Sequence, residues 1–157
     1  MTLSHVDREG RARMVDVGGK PATLRQAVAE GTIVMTPEAY EVVLRNAGPK
    51  GDVLSTAELA GTMGAKRAAD LIPLCHPLPL EHVEVRALLE ESLPGVRVRA
   101  TARTTGKTGV EMEALTGVAV ALLTVYDMVK SIGHDLSIGN IQLIEKSGGR
   151  SGTWKRS

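Results

Sequence analysis

His82-Val83-Glu84-Val85-Arg86-Ala87-Leu88-Leu89 and Val96-Arg97-Val98-Arg99-Ala100-Thr101-Ala102-Arg103 alternate along their length. In an extended strand successive side chains point to opposite faces. Val83, Val85, Ala87 and Leu89 therefore share one side, and His82, Glu84, Arg86 and Leu88 the other. Val96, Val98, Ala100 and Ala102 oppose Arg97, Arg99, Thr101 and Arg103 in the same way. Between them, Glu91–Gly95 carries Pro94 and Gly95, the residues of a chain reversal. Together they predict an antiparallel hairpin with one packed face and one wet, charged face.

Downstream the period becomes helical. From about Met112 to Ile132, the residues Met112, Leu115, Ala119, Leu122, Tyr126 and Val129 make one apolar stripe. Ile141, Leu143 and Glu145 suggest a last strand, and a basic, glycine-rich tail, Lys146–Ser157, follows. Upstream, Thr36-Pro37-Glu38 reads as N-cap, first-turn proline and first-turn acid of a helix that stops before Gly48-Pro49. Asp52 can cap a second helix running to about Asp70, with Ala57, Ala60, Gly61, Gly64 and Ala68 as a face small enough for another backbone to approach closely. Ala22–Met35 fits a helix at Leu24, Ala27 and Val28 and a strand at Thr32–Met35. Met14–Val17 fits a short strand, ended by Gly18-Gly19. The simplest assembly is α+β: one domain over 1–157, an antiparallel sheet covered on one face by two longer helices, with a loose arm over about 1–11 and the Gly-rich tail over about 147–157.

Lys and Arg number 19 against 18 Asp and Glu, a net charge of +1. A dedicated nucleic-acid or anionic-membrane binder normally carries a large excess of one sign. Arg97, Arg99 and Arg103 are offset by Glu81, Glu84, Glu90 and Glu91, and the aromatic residues are only Trp154, Tyr40 and Tyr126, so no stacking platform for bases is expected. The single cysteine, Cys75, suits a reducing compartment. Met1–Gly10 has no apolar core of the signal-peptide kind, and the longest apolar stretch, Val118–Val125, falls short of a membrane span. The expectation is a soluble, cytoplasmic protein.

Several clusters offer chemistry. Lys50-Gly51-Asp52 lies at a helix start, where free amides and the dipole favour an anion, although a plain capped start reads equally well. His76, in Leu74-Cys75-His76-Pro77, sits on a Pro-rich connection, and imidazole is a side chain suited to proton transfer. Gly106-Lys107-Thr108 evokes a phosphate loop, but Thr101 stands where that motif needs a glycine. Glu111 and Glu113 open the long helix; Asp127 and Lys130, three apart and so on one face, close it. Those two charges flank an otherwise almost uncharged helix and are expected to be partly desolvated. Glu113 and Lys130 lie about 25 Å apart along a continuous helix axis. One small site therefore cannot use both ends of one copy: either the two ends serve different purposes, or a pocket is shared between two copies, in keeping with the small-residue face. No carboxylate cluster marks a metal site.

Lys50-Gly51-Asp52-Val53, Asp70–Leu78, Thr105–Thr116, Tyr126-Asp127-Met128-Val129-Lys130 and Lys146-Ser147-Gly148-Gly149, in that order, resemble the molybdenum cofactor biosynthesis protein C family, MoaC, from about His5 to Trp154. The resemblance implies a lyase of molybdopterin biosynthesis that converts 3′,8-cyclo-7,8-dihydroguanosine triphosphate, supplied by a radical S-adenosylmethionine GTP cyclase, to cyclic pyranopterin monophosphate and diphosphate. It implies a ferredoxin-like fold and a homohexamer, a trimer of dimers with sites between subunits. Carried over by position, Asp127 and Lys130 are the catalytic pair. Leu74, Cys75, His76, Met112 and Glu113 bind substrate, and Lys50 and Glu111 match further pocket residues. No redox cofactor is called for; Mg2+ can accompany the triphosphate. The rival from another class is a non-catalytic regulatory oligomer that binds a nucleoside triphosphate.

Overall fold

A computed structural model describes Val6 and residues 9–157. The expected loose arm falls mostly outside the described residues; within it, Val6 bridges Ala12. Met14–Val17 is irregular rather than a strand.

The predicted hairpin is the outer half of the sheet. Strand β2 (His82–Glu90) pairs antiparallel with β3 (Gly95–Gly106), with His82 opposite Arg103 and Glu90 opposite Gly95. Val85, Ala87, Val96, Val98, Ala100 and Ala102 are buried, as the alternation requires. Gly95 lies so close to the Ile33 carbonyl that a Cβ there would collide with it.

The undecided stretch is one long strand, β1 (Thr23–Val34). It lies centrally, paired antiparallel with β3 on one side and with β4 (Ser137–Ser147) on the other. Its core face is Ala27, Ala29, Gly31 and Ile33, a period-two row of mostly small residues. The reason for small residues is a crossing helix: a Cβ on Gly31 would lie 2.8 Å from Val118 Cγ1 and 2.9 Å from Leu122 Cδ1. Alanine and glycine are weak strand formers, so pairing on both edges decides this segment against its propensity.

Helix α1 (Pro37–Leu44) starts where predicted, Thr36 Oγ1 accepting the Ala39 amide at 3.2 Å. Helix α2 (Val53–Lys66) is capped by Asp52, but it breaks at Arg67 before a short α3 (Ala68–Leu71) instead of running on. The Arg67 amide bonds Gly64 O, a tighter closure than a continuing α-helix uses. Helix α4 (Glu111–Val129) packs on the sheet against β1 and β3, with α2 alongside it. Its buried row is Ala114, Val118, Ala121, Leu122, Val125 and Val129, rotated from the expected stripe, of which Met112, Leu115, Ala119 and Tyr126 are only half-buried. A helix covered on two sides is apolar nearly all round, so periodicity cannot set its phase. By length and composition α4 could also cross a membrane, contrary to the sequence expectation, yet half of that stretch is buried as the core helix of this fold.

The small face of α2 is used within the chain. A Cβ on Gly61 would meet the Gly117 carbonyl oxygen at 2.8 Å, and one on Gly64 would meet Val120 Cβ at 2.7 Å. That face is thus consumed by α4 and does not serve as support for an interface between copies.

The sheet order is β2-β3-β1-β4-β5, with the tail returning as β5 (Trp154–Lys155) alongside β4, an element not foreseen. The succession β1-α2-β2-β3-α4-β4 in this order is the ferredoxin-like α+β arrangement. Helices α2 and α4 cover one face; on the other, Arg97 and Arg99 pair with Glu30. At the β2 edge the Ala87 amide donates to Glu58 Oε1 at 2.9 Å, occupying a group that could otherwise pair with another chain.

Candidate active site

The predicted site residues fall into two groups at the two ends of α4. At its C-terminal end Lys50 reaches back from the turn after α1. Lys50 Nζ donates to Asp127 Oδ2 at 2.7 Å and to the Asp127 carbonyl at 3.1 Å, while Lys130 Nζ lies 2.6 Å from Asp127 Oδ1. Both carboxylate oxygens are therefore held by ammonium groups. Lys130, then Lys50, brings the Asp127 carboxyl down from 3.8 to about 2, and Asp127 in turn raises the pKa of Lys130. These side chains are about half exposed, 48–54%. Desolvation is slight in the single chain and opposes the Asp127 shift, which hydrogen bonding and charge cause. Nor is the start of α2 an anion site: the Asp52 carboxylate itself takes the Ser55 amide at 3.0 Å, an ordinary cap.

At the N-terminal end the connection after α3 folds over the first turn of α4. Leu74, Cys75, His76, Met112, Glu111 and Glu113 line one cleft of about 270 Å³. The Cys75 thiol donates to Glu113 Oε1 at 3.6 Å, and His76 Nε2–H donates to the Val15 carbonyl at 2.7 Å. Glu113 is 3% exposed and its Oε2 has no partner among the described residues. Burial pushes its pKa up, and burial, followed by the Glu113 charge, takes the Cys75 thiol up to about 11.

This cleft continues through Lys20, Thr108, Gly109 and Glu111 into a second of about 300 Å³ bordered by Arg25, Lys107, Lys146 and Arg150. Lys146 Nζ lies 3.7 Å from Glu111 Oε1, and Lys107 Nζ donates to the Gly18 carbonyl. Gly149, at φ +72, is the residue a guanidinium can pass: any Cβ there would strike Arg25. Lys20, Arg25 and Arg150 escaped sequence reasoning. Each is an isolated cation, and only the pairing of β1 with β3 and β4 gathers them. Five cations facing one groove favour a polyanion, and the positive end of the α4 dipole lies beside it, at a start with no side-chain cap. Among the described residues no three His, Cys, Asp or Glu side chains converge as a metal site.

The structure thus brings Lys50 to Asp127 and Lys130, and Leu74, Cys75, His76, Met112 and Glu111 to Glu113. It does not bring the two groups together in one chain, since the 16 residues from Glu111 to Asp127 span about 24 Å of helix. A ferredoxin-like α+β domain whose cationic groove runs onto buried and half-buried acids, an imidazole and a thiol defines an enzyme of small-molecule acid–base chemistry.

The particular family follows from comparison. The MoaC family profile matches residues 14–149. Cyclic pyranopterin monophosphate synthase of Roseiflexus sp. is 60% identical over 150 residues, 96% of this chain and 95% of that protein. The Brucella ovis protein of the same name is 57% identical over 152 residues, 97% and 92% of the two chains, and that of Brucella suis matches equally. The chain belongs to the MoaC family.

Proposed function

We propose that the protein is a lyase of molybdenum cofactor biosynthesis that converts 3′,8-cyclo-7,8-dihydroguanosine triphosphate to cyclic pyranopterin monophosphate and diphosphate. The relatives' names support the reaction. The observation that carries it is the groove itself, five cations leading to a pocket floor of Glu111, Glu113, His76 and Cys75. Lys20, Arg25, Lys107, Lys146 and Arg150 hold the triphosphate and neutralise charge as a ribose-derived hydroxyl attacks the α-phosphorus and the bond to the leaving diphosphate breaks. Leu74, Cys75, His76, Met112 and Glu113 hold the ring system, whose rearrangement needs protons moved on and off nitrogen and oxygen.

Asp127 and Lys130 are the catalytic pair, supplied with Lys50 by a neighbouring copy, so that the complete site lies between subunits of a homohexamer. Lys130 is the general acid, oriented by Asp127. No redox cofactor takes part, and magnesium enters, where used, on the triphosphate of the substrate. The substrate comes from a radical S-adenosylmethionine GTP cyclase, and the setting is the cytoplasm. A purely regulatory triphosphate binder is not favoured, because holding a polyanion gains nothing from Glu111, Glu113 and Asp127.

Incubating the purified protein with the cyclised nucleotide and detecting pterin product and diphosphate tests the reading. Lys130→Ala and Asp127→Ala should fold and assemble but form no product; near-full turnover by either removes that residue's role. Nucleotide bound but recovered unchanged by the unaltered protein would establish the regulatory reading instead.

A further inference from the structure

Glu113 occupies an unusual position. It borders the substrate cleft on one side and, on the other, a separate cavity of about 110 Å³ lined by Lys66, Asp70, Pro77 and Leu78. It is 3% exposed, yet it makes no ion pair among the described residues. Among the described residues its Oε1 has one side-chain partner, a weak one, the Cys75 thiol at 3.6 Å, which also reaches the His76 carbonyl at 3.7 Å; its own backbone amide is the one further donor, and Oε2 has no partner. A buried carboxylate of charge −1 with an unpaired oxygen is among the costliest groups a fold can hold, whereas a neutral carboxylic acid needs only to place one O–H. The thiol is itself in its protonated form near neutrality, so it can donate but not compensate a charge.

We propose that Glu113 works as a neutral carboxylic acid, its Oε1 fixed by the Cys75 S–H and its Oε2–H aimed into the cleft as a hydrogen-bond donor to an acceptor nitrogen or carbonyl of the bound heterocycle. Cys75 is then a positioning residue, acting through Glu113. The charged and titratable groups around the acid are consistent with this. Glu111, on the same helix, opposes a second negative charge. Cys75 and His76 face it from the connection after α3, Lys20 from across the cleft, and Lys66 and Asp70 across the rear cavity. None of the lysines pairs with it. This deepens the reading of the site given above, and its first test does not depend on that reading.

Infrared difference spectra of the ligand-free full-length protein, unaltered minus Glu113→Gln, should show the carbonyl stretch of a protonated acid at neutral pH. In Cys75→Ala that band should move to higher frequency, because a donor to its carbonyl oxygen is lost. Carboxylate bands alone at neutral pH overturn the neutral acid, and an unmoved band in Cys75→Ala overturns the positioning role. Should Glu113→Gln fail to fold, unaltered protein minus Glu113→Ala replaces it. With the cyclised nucleotide as substrate, Gln still offers a donor where Ala offers none, so KM for Glu113→Ala should exceed that for Glu113→Gln by about tenfold. Equal losses in the two variants would mean that the negative charge is what matters, and would overturn the proposal. Failure of every variant, the unaltered chain included, to turn over the nucleotide would strike the proposed function alone, leaving the infrared result standing.

Discussion

Two inactive variants, one damaged at each end of α4, should restore activity when mixed. Lys130→Ala removes the ammonium at the C-terminal end and His76→Ala the imidazole at the N-terminal end. Within one chain the two groups stand at opposite ends of a 19-residue helix, itself about 28 Å long at 1.5 Å per residue, more than a nucleoside triphosphate spans. If each complete site takes its N-terminal group from one copy and its C-terminal group from the next, an intact site needs a Lys130→Ala chain on the first side and a His76→Ala chain on the second. In random equimolar assemblies each condition is met half the time, so about a quarter of sites are intact, whichever closed symmetry joins the copies. The assay is turnover of the cyclised nucleotide after joint unfolding and refolding, with chain exchange verified by native mass spectrometry. A reverse mixture sharpens it. Unaltered chains mixed with chains carrying both lesions should leave about a quarter of sites intact if sites are shared, and about half if each chain owns its site. Verified exchange without recovery in the first mixture, or one half in the second, refutes the shared site.

Three further outcomes follow from the geometry. The folded pKa of Asp127 is depressed, so the stability from its ion pairs is fully present above 3.8 and is lost as pH falls through about 2; carboxyl NMR should show no Asp127 inflection from about pH 4 to about pH 8. Gly61→Ala drives a Cβ against a backbone oxygen that cannot rotate away. Overpacking of about 3 kcal/mol less about 1 kcal/mol of helix propensity predicts a net loss of about 2 kcal/mol, read as a lower urea midpoint at unchanged m. Glu58→Ala orphans the Ala87 amide, costing about 1 kcal/mol and speeding that amide's hydrogen exchange, whereas Glu58→Gln retains the acceptor and should lose less.

What was legible followed from local physics. The β2–β3 hairpin announces itself because one of its faces is solvated, and α1 and α2 because Thr36 and Asp52 do their capping within three residues. What was hidden depends on contacts distant in sequence. β1 reads ambiguously because its core row must be small beneath α4, and α4 loses its phase because it is enclosed on two sides. The groove is assembled from Lys20, Arg25, Lys107, Lys146 and Arg150, which no spacing links, and β5 is too short to carry a pattern. Lys50, His76, Glu111, Glu113, Asp127 and Lys130 stood out by residue type and placement, and the resemblance added Leu74, Cys75 and Met112; the structure sorts them into two groups that spacing along α4 already separated.

The three charges at the end of α4 explain why an aspartate needs two lysines there. For Lys130 to serve as the proposed acid it must release a proton, yet Asp127 strengthens its hold on that proton. In an isolated Asp–Lys pair, release would leave a bare carboxylate beside a developing negative charge. Lys50 alters the balance, since it binds the other carboxylate oxygen and the Asp127 carbonyl together. Two ammonium groups and one carboxylate carry a single net positive charge, so after Lys130 gives up its proton the Lys50–Asp127 pair remains neutral and Asp127 Oδ1 still accepts a hydrogen bond from the Lys130 amine. Lys50 thus makes the proton of Lys130 expendable. Lys50→Met should then lower kcat more than it raises KM, and a Lys50→Met enzyme with unaltered kcat would show that Lys50 merely secures the helix end.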